Sequence, residues 1–264
     1  MDKITALVTE SAELTPGIRS LTVRLPESTD WDVRPGQFAG LYPADGSMLL
    51  MRPISVCRWD PARRELRFVY RPAGAGTRSF TALREGDTID LLGPLGNGYD
   101  TETLAGRHVL LLGGGIGVPP MLELAAALRN AGAETQVTAA LGYRTDELFL
   151  AEDFRKTGAE VLIATEDGTA GTKGTVLDAV REAGIRPDAV CACGPMPMLR
   201  AVKRYAEELG IDAWLSLEER MACGVGACLG CVVKTRETDA HSHVKNARIC
   251  TEGPVFAARE VEIG

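Results

Sequence analysis

From about residue 107 the chain alternates short apolar runs with longer amphipathic ones. HVLLLGG, TQVTAALGYR, AEVLIATEDG, DAVCACG and DAWLSLEE are separated in turn by PPMLELAAALRNAG, TDELFLAEDFRKTG, TVLDAVREAG and PMPMLRAVKRYAEELG. Near-continuous apolar strands are buried on both faces, which a parallel sheet covered by helices provides. Gly132, Gly158, Gly184 and Gly210 stand where each helix needs a left-handed residue to stop. In such a sheet ligands bind outside the carboxyl ends of the strands, beside a topological switch point.

The first hundred residues have another rhythm. ITALVTESAEL, IRSLTVRLP, GQFAGLYP, MLLMRPISVC, ELRFVYRP and DTIDLLGP are short runs rich in β-branched and aromatic residues, broken by turn residues. Six such strands predict a small antiparallel barrel, with TRSFTALREG as a short helix closing one end. GPLGNGY at 93–99 is loop punctuation and marks the first boundary. The last stretch, from 218, has few large apolar side chains; a piece that small needs a metal, disulfides or a neighbour to pack on. The expected organisation is a multidomain α+β chain. It comprises an N-terminal antiparallel β-barrel over 1–100, an α/β parallel-sheet nucleotide-binding domain over 101–217 and a small C-terminal cysteine-cluster extension over 218–264.

Charge narrows the function classes. A formal net charge of -7 argues against a nucleic-acid surface, which needs clustered Lys and Arg. The most membrane-like run, 108–128, is broken by Glu123, its glycines and a proline pair, well short of about 18 apolar residues. The N-terminus shows no basic start followed by an apolar core, so a cytoplasmic protein is expected, with neither nucleic acid nor membrane as partner. Seven cysteines without an export signal favour metal or redox chemistry over a disulfide framework.

Cys223, Cys228 and Cys231 give C-x4-C-x2-C, with Cys250 a further 19 positions on. This is the spacing of plant-type [2Fe-2S] proteins, in which a tight loop wraps a small anionic cluster. Glycines at 224, 226 and 230 would let backbone N–H groups turn toward the sulfurs. Structural zinc held by four thiolates is the alternative, although it favours shorter paired spacings. A [2Fe-2S] centre carries one electron at a time, so it needs a donor and an acceptor. Cys57 and Cys191 sit in strand patterns and read as small buried hydrophobes. Cys193 closes a parallel strand, where a nucleotide would bind, and reads equally as packing. His108, His241 and His243 have no partner spacing and stay unassigned.

In LLLGGGIGVPPM the glycines at 113, 114, 115 and 117 separate a buried strand from a helix that opens with Pro119 and Pro120. Such a loop lets a diphosphate approach the backbone at a helix N-terminus. G-x-G-x-x-P is not the usual dinucleotide fingerprint, and a purely structural turn stays open. If the sheet binds a nicotinamide nucleotide it exchanges hydride, so a flavin is needed to convert between two electrons and one. MRPIS in the barrel offers Arg52 for a phosphate and Ser55 for a hydrogen bond near a flavin ring; alone the tetrapeptide reads better as a strand with a surface arginine, and it gains weight only beside the other motifs.

R-P-I-S, G-x-G-x-x-P, C-G-P-M and the late cysteines, in this order, resemble the ferredoxin reductase superfamily over the whole chain. LSLEERMACGVGACLGC, ATEDGTAGTKGTV and CTEGPVF resemble in particular its dihydroorotate dehydrogenase B electron transfer subunits. The resemblance implies that Arg52, Pro53, Ile54, Ser55, Val69, Tyr70, Arg71, Gly76 and Thr77 contact FAD. It implies that Gly115, Gly117, Cys193, Gly194, Pro195 and Met196 flank NAD, with Ser55 and Cys193 as candidate catalytic residues. It also implies that Cys223, Cys228, Cys231 and Cys250 ligate a [2Fe-2S] cluster. The implied partner is a catalytic subunit holding FMN, in a heterotetramer of two chains of each kind, that oxidises dihydroorotate in pyrimidine biosynthesis. Similar motifs occur in ferredoxin:NADP+ transhydrogenases, sulfide dehydrogenases and hydrogenase or sulfite reductase assemblies, so the same machinery serving another catalyst is an alternative. A self-contained reductase would need a separable ferredoxin domain of about 90 residues, longer than the final stretch. A noncatalytic zinc-stabilised interaction module is the alternative of a different class.

Overall fold

The computed structural model describes residues 1–239 and 243–263, so His241 lies outside the described residues. Six strands, β1 (Asp2–Thr15), β2 (Ile18–Arg24), β3 (Phe38–Tyr42), β4 (Arg52–Asp60), β5 (Glu65–Tyr70) and, after the short helix α1 (Ala75–Ser79), β6 (Thr88–Leu95), close into an antiparallel barrel. Its order is β1-β2-β5-β4-β3-β6. Alternation drives the closure: along β6 every second residue is buried, and Val8, Leu21, Leu66, Phe68 and Leu91 fill the interior. The expected barrel and its closing helix are both present.

The helical turn α2 (Thr101–Leu104), capped by Asp100, leads into the second unit. There β7 (His108–Gly114), α3 (Val118–Asn130), β8 (Gln136–Tyr143), α4 (Ala151–Lys156) and β9 (Glu160–Thr165) run outward from the sheet centre. The two-residue strand β10 (Thr172–Lys173) edges that side. After α5 (Val176–Glu182) the chain crosses back to β11 (Ala189–Cys193) on the other flank of β7, then α6 (Met196–Leu209) and β12 (Asp212–Ser216). The switch point therefore lies between β7 and β11, which pair in parallel with Cys193 opposite Gly113.

Two features depart from expectation. The helix predicted across TDELFLAEDFRKTG is confined to Ala151–Lys156, because Leu150 takes a left-handed φ of 66° and the Tyr143 hydroxyl donates to the Phe149 carbonyl at 2.8 Å. The sheet is also wider than five strands. The C-terminal extension forms a hairpin, β13 (Val232–Lys234) with β14 (Asn246–Arg248), and then adds β15 (Val255–Ala257) antiparallel to β12. The neighbour that the small piece needs is thus the sheet itself. Gly158, Gly184 and Gly210 take the expected left-handed turn, whereas Gly132 has a φ of 144°.

Helix α3 is buried on nearly every side, since it lies between the sheet and the barrel; Glu123 in its middle bonds Arg58 and the Trp59 N–H of β4. Among the described residues no helix is long and apolar enough to cross a membrane.

Candidate functional site

The glycine loop and the C-G-P-M turn meet at the switch point. β7 ends at Gly114, a single 3-10 turn spans Gly115–Gly117, and α3 starts with Pro119 and Pro120 in its first turn. Gly117 is pressed against the Cys193 carbonyl and the Gly194 nitrogen, where any Cβ would overlap backbone. Gly114 packs on Pro195 and Met198. The structure thus joins Gly115, Gly117, Cys193, Gly194, Pro195 and Met196 around the N-terminus of a 13-residue helix, the geometry that receives a diphosphate.

Cys193 is buried at 1% exposure; burial pushes its thiol pKa well up, the Glu218 charge adds to this, and a hydrogen bond with Ser216 opposes it. The thiol therefore keeps its proton near neutral pH. Glu218, just past β12, was not singled out from the sequence. Its side chain reaches solvent, yet the protein around it raises its pKa through desolvation. Cys57 and Cys191 are fully buried, and burial pushes Cys57 up to about 12.

On the barrel, Arg52 opens β4 with its Nη1 donating to the Leu50 carbonyl at 2.5 Å, and its guanidinium lies against Gly76, where a Cβ would overlap it. Thr77 caps α1, its Oγ1 accepting from the Gly74 N–H at 3.1 Å. Arg52, Gly76 and Thr77 therefore form one patch. Pro53, Ile54 and Ser55 follow along β4, opposite Gly40, Ala39 and Phe38. Strand alternation separates Val69 from Tyr70: Val69 belongs to the apolar cluster that continues into the sheet unit, whereas the Tyr70 ring lies inside the barrel, edge-on to Phe80. The Tyr70 hydroxyl and Arg19 Nε are both buried without a hydrogen-bond partner. Arg71 is exposed beyond β5. A fixed, part-exposed guanidinium beside a close-approach glycine suits the phosphates of FAD.

The hairpin explains the distant cysteine. Cys231 immediately precedes β13 and Cys250 follows β14 by two residues, so the ladder brings the two together; the Ile249 N–H donates to the Cys231 carbonyl at 2.9 Å. Both are 2% exposed. Burial, then the neighbouring Cys231, pushes Cys250 up to about 12. Cys223 behaves oppositely: burial raises its pKa, but N–H groups of Val225 and Cys228, 3.5 and 3.4 Å from its sulfur, outweigh this and bring it down to about 6. Gly224 and Gly226 take the expected positive φ of 72° and 81°, but the third such residue is Leu229 at 56°, not Gly230. Cys228 is exposed, and among the described residues the four thiols do not stand in a closed ligand geometry. Four sulfurs on one hairpin and its loop, with N–H groups already aimed at one of them, suit a [2Fe-2S] cluster.

Two links hold this cage and were not visible in the sequence. Arg248 pairs with Glu252 and donates to the Gly226 carbonyl at 3.3 Å, tying the Cys250 turn to the three-cysteine loop. Asn97, in the barrel's exit loop, donates from its backbone to the Gly253 carbonyl at 2.6 Å and from Nδ2 to the carbonyls of Thr251 and Glu252 at 3.0 and 3.2 Å.

Comparison with known proteins agrees with this geometry. Residues 218–262 match the iron-sulfur cluster binding domain of dihydroorotate dehydrogenase B, and residues 111–204 match the oxidoreductase NAD-binding domain. The chain is 45% identical over 233 residues to the dihydroorotate dehydrogenase B (NAD(+)) electron transfer subunit of Listeria monocytogenes serotype 4a (strain HCC23), covering 88% of this chain and 89% of that protein. It is 45% identical over 230 residues to the subunit of the same name from Geobacillus sp. (strain WCH70), covering 86% of each. Among solved structures, an NADH-dependent reduced ferredoxin-NADP oxidoreductase superposes with a TM-score of 0.84 at 29% identity, covering 97% of this chain and 89% of that one. A ferredoxin NADP+ reductase from Neisseria gonorrhoeae with bound FAD and NADP shares the fold at a TM-score of 0.65, 19% identity, and 80% and 92% coverage. With barrel, switch-point loop and cysteine hairpin all in place, the chain belongs to the family of dihydroorotate dehydrogenase B (NAD(+)) electron transfer subunits.

Proposed function

We propose that this chain passes electrons from the FMN of a dihydroorotate-oxidising partner to NAD+, in pyrimidine biosynthesis, using bound [2Fe-2S] and FAD. The observation that carries this reading is the placement of the cysteine extension. Its strand β15 extends the sheet that bears the nucleotide loop, while its Gly224 lies on Met51, one residue ahead of Arg52. One small piece therefore touches both the nicotinamide and the flavin units.

When bound, FAD exchanges hydride with the nicotinamide and single electrons with the cluster, which a [2Fe-2S] centre alone could not do. The chain's residues supply the positions. In this reading Arg52, Pro53, Ile54, Ser55, Val69, Tyr70, Arg71, Gly76 and Thr77 hold FAD. Gly115, Gly117, Cys193, Gly194, Pro195 and Met196 hold NAD(H). Cys223, Cys228, Cys231 and Cys250 hold the cluster. Ser55 offers a hydroxyl to the reacting rings, and Cys193 acts as a neutral, protonated contact rather than a thiolate. The units are 1–100, 101–217 and 218–264. Cys228 is exposed, with Val225, Leu229 and Val232 exposed beside it in sequence, which suits a partner-facing edge. The partner is the FMN-bearing catalytic subunit, in a heterotetramer of two chains of each kind. The compartment is the cytoplasm, where thiols stay reduced.

The test is dihydroorotate-dependent NAD+ reduction by the complex purified anaerobically through this chain. The expected result is a rate that vanishes when the copurified flavoprotein is removed, with one NADH formed per orotate. A sample that oxidises NADH with an artificial dye but shows no dihydroorotate dependence would overturn the assignment of the partner. The likeness over 97% of the chain to the ferredoxin-NADP oxidoreductase favours, in that event, the same machinery serving another catalyst.

A further inference from the structure

We infer that Met51 is a positioning residue that sets the separation between the cluster loop and the flavin-binding strand, and with it the rate of single-electron exchange between them. The inference rests on the reading of the preceding section. Met51 immediately precedes Arg52 and is 2% exposed. Its sulfur lies over Gly40 of β3 and its terminal methyl over Gly224, between the first two cluster cysteines; a Cβ at either glycine would overlap it. The same side chain belongs to the apolar cluster that contains Cys231, Cys250, Ile249, Phe38 and Leu95. At one end it is therefore fixed to the strand of Arg52 and Ser55. At the other it bears on the turn whose next residue, Val225, donates its N–H to the Cys223 sulfur.

The shape of the space accounts for the residue type. A slot walled by two glycines admits an unbranched, polarisable thioether and excludes a side chain branched at Cβ. Each NADH brings two electrons as hydride, so two single-electron crossings pass this contact for every hydride delivered. Exchange between redox centres falls steeply as the gap between them widens, and Met51 fills the gap with packed atoms. Gly224 has a left-handed φ of 72° and no side chain of its own to pack, so the Met51 side chain is what this turn rests on.

The experiment uses the holoprotein in stopped flow, following flavin bleaching by NADH and then reduction of the cluster. Iron and FAD contents are measured on the same samples, together with hydrogen exchange of the amides at 222–226. Met51→Ala is expected to retain both cofactors and the rate of flavin reduction, to slow cluster reduction about tenfold, and to speed amide exchange in the loop. Met51→Leu, which refills most of the volume, should recover most of the cluster rate. Gly224→Ala should slow cluster reduction through both its overlap with Met51 and the strain of a side chain at a positive φ, and combining it with Met51→Ala should cost less than the two effects added, because the strain stays but the overlap is gone. Unchanged cluster reduction in Met51→Ala, equal slowing of flavin and cluster reduction, or strict additivity in the double variant would each overturn the role of Met51. Wild-type protein that binds neither FAD nor a [2Fe-2S] centre would overturn the proposed function as well. Should Met51→Ala fail to fold, Met51→Leu and the Cβ-branched Met51→Val decide the matter by the same two rates, Leu keeping most of the cluster rate and Val losing it.

Discussion

The four cysteines are not equivalent as side chains. Cys231 and Cys250 are buried at the foot of a hairpin, and Cys223 has its sulfur already met by the N–H groups of Val225 and Cys228, whereas Cys228 is exposed. Cys228→Ser keeps the backbone N–H that reaches Cys223 and removes only a sulfur. The purified variant is expected to lose the visible absorption and the reduced-state electron paramagnetic resonance signal of the cluster. Dihydroorotate-linked NAD+ reduction should fall about 100-fold, while reduction of FAD by NADH stays largely intact, because in the proposed reading hydride is exchanged near Gly117 and Cys193, away from the cysteine loop. Equal loss of both rates would disprove this division of labour. Residue types made this much legible beforehand: thiol spacing, glycine loops and an arginine in R-P-I-S are local in sequence. Glu218 and Met51 were not legible, since a carboxylate after a strand and a methionine before one acquire meaning only from what folds against them.

Among the elements, α5 shows how locally a helix start is set. Thr175 accepts from the Asp178 N–H at 3.3 Å while the Asp178 carboxylate accepts from the Thr175 N–H at 2.8 Å, a reciprocal cap at the edge of the sheet. The backbone bond from Thr175, then its hydroxyl, lower the Asp178 pKa below the ordinary carboxylate value. A depressed folded-state pKa adds stability that is fully present above the unfolded value near 4 and is lost as pH falls through the folded one. Thr175→Ala should cost about 1 kcal/mol at neutral pH. Asp178→Asn should flatten the acid limb of the stability curve, both read by denaturant unfolding between pH 3 and 7; an unchanged acid limb would remove Asp178 from this role. Strands and most helices were legible because alternation and helical periodicity are local. The exception, 145–150, carries a helical pattern that Tyr143 and the left-handed Leu150 override. β15 was hidden for another reason: three residues carry no periodicity, and its partner Trp214 opposite Ala257 lies 43 positions away.

For the whole molecule, the decisive question is what keeps barrel, sheet and cluster extension in fixed relation, since electron exchange depends on it. Asn97 ties the extension to the barrel exit loop, β15 ties it to the sheet, and α3 ties sheet to barrel through Glu123. Domain order was readable from changes of rhythm along the chain, but these ties join residues up to 155 positions apart and leave no local trace. Glu123 is the sharpest of them to test. It is 8% exposed, its Oε2 accepts from the Trp59 N–H at 2.8 Å and from Arg58 Nη1 at 3.2 Å, and burial raises its pKa against the opposing pull of those two donors. A raised carboxyl pKa favours the folded state most below the unfolded value, and that contribution declines as pH rises through the folded one. Glu123→Gln preserves an acceptor for Trp59 and removes the ionisation, so it should cost little at neutral pH and flatten the decline of stability as pH rises above the ordinary carboxylate range. Glu123→Ala leaves a buried N–H and a guanidinium without their partner and should cost about 1–3 kcal/mol, together with slower flavin reduction by NADH as the sheet loosens from the barrel. Unfolding curves and single-turnover flavin reduction on the same two variants check this; if Ala and Gln behave alike, Glu123 is a passive filler and the barrel and sheet are held by apolar packing alone.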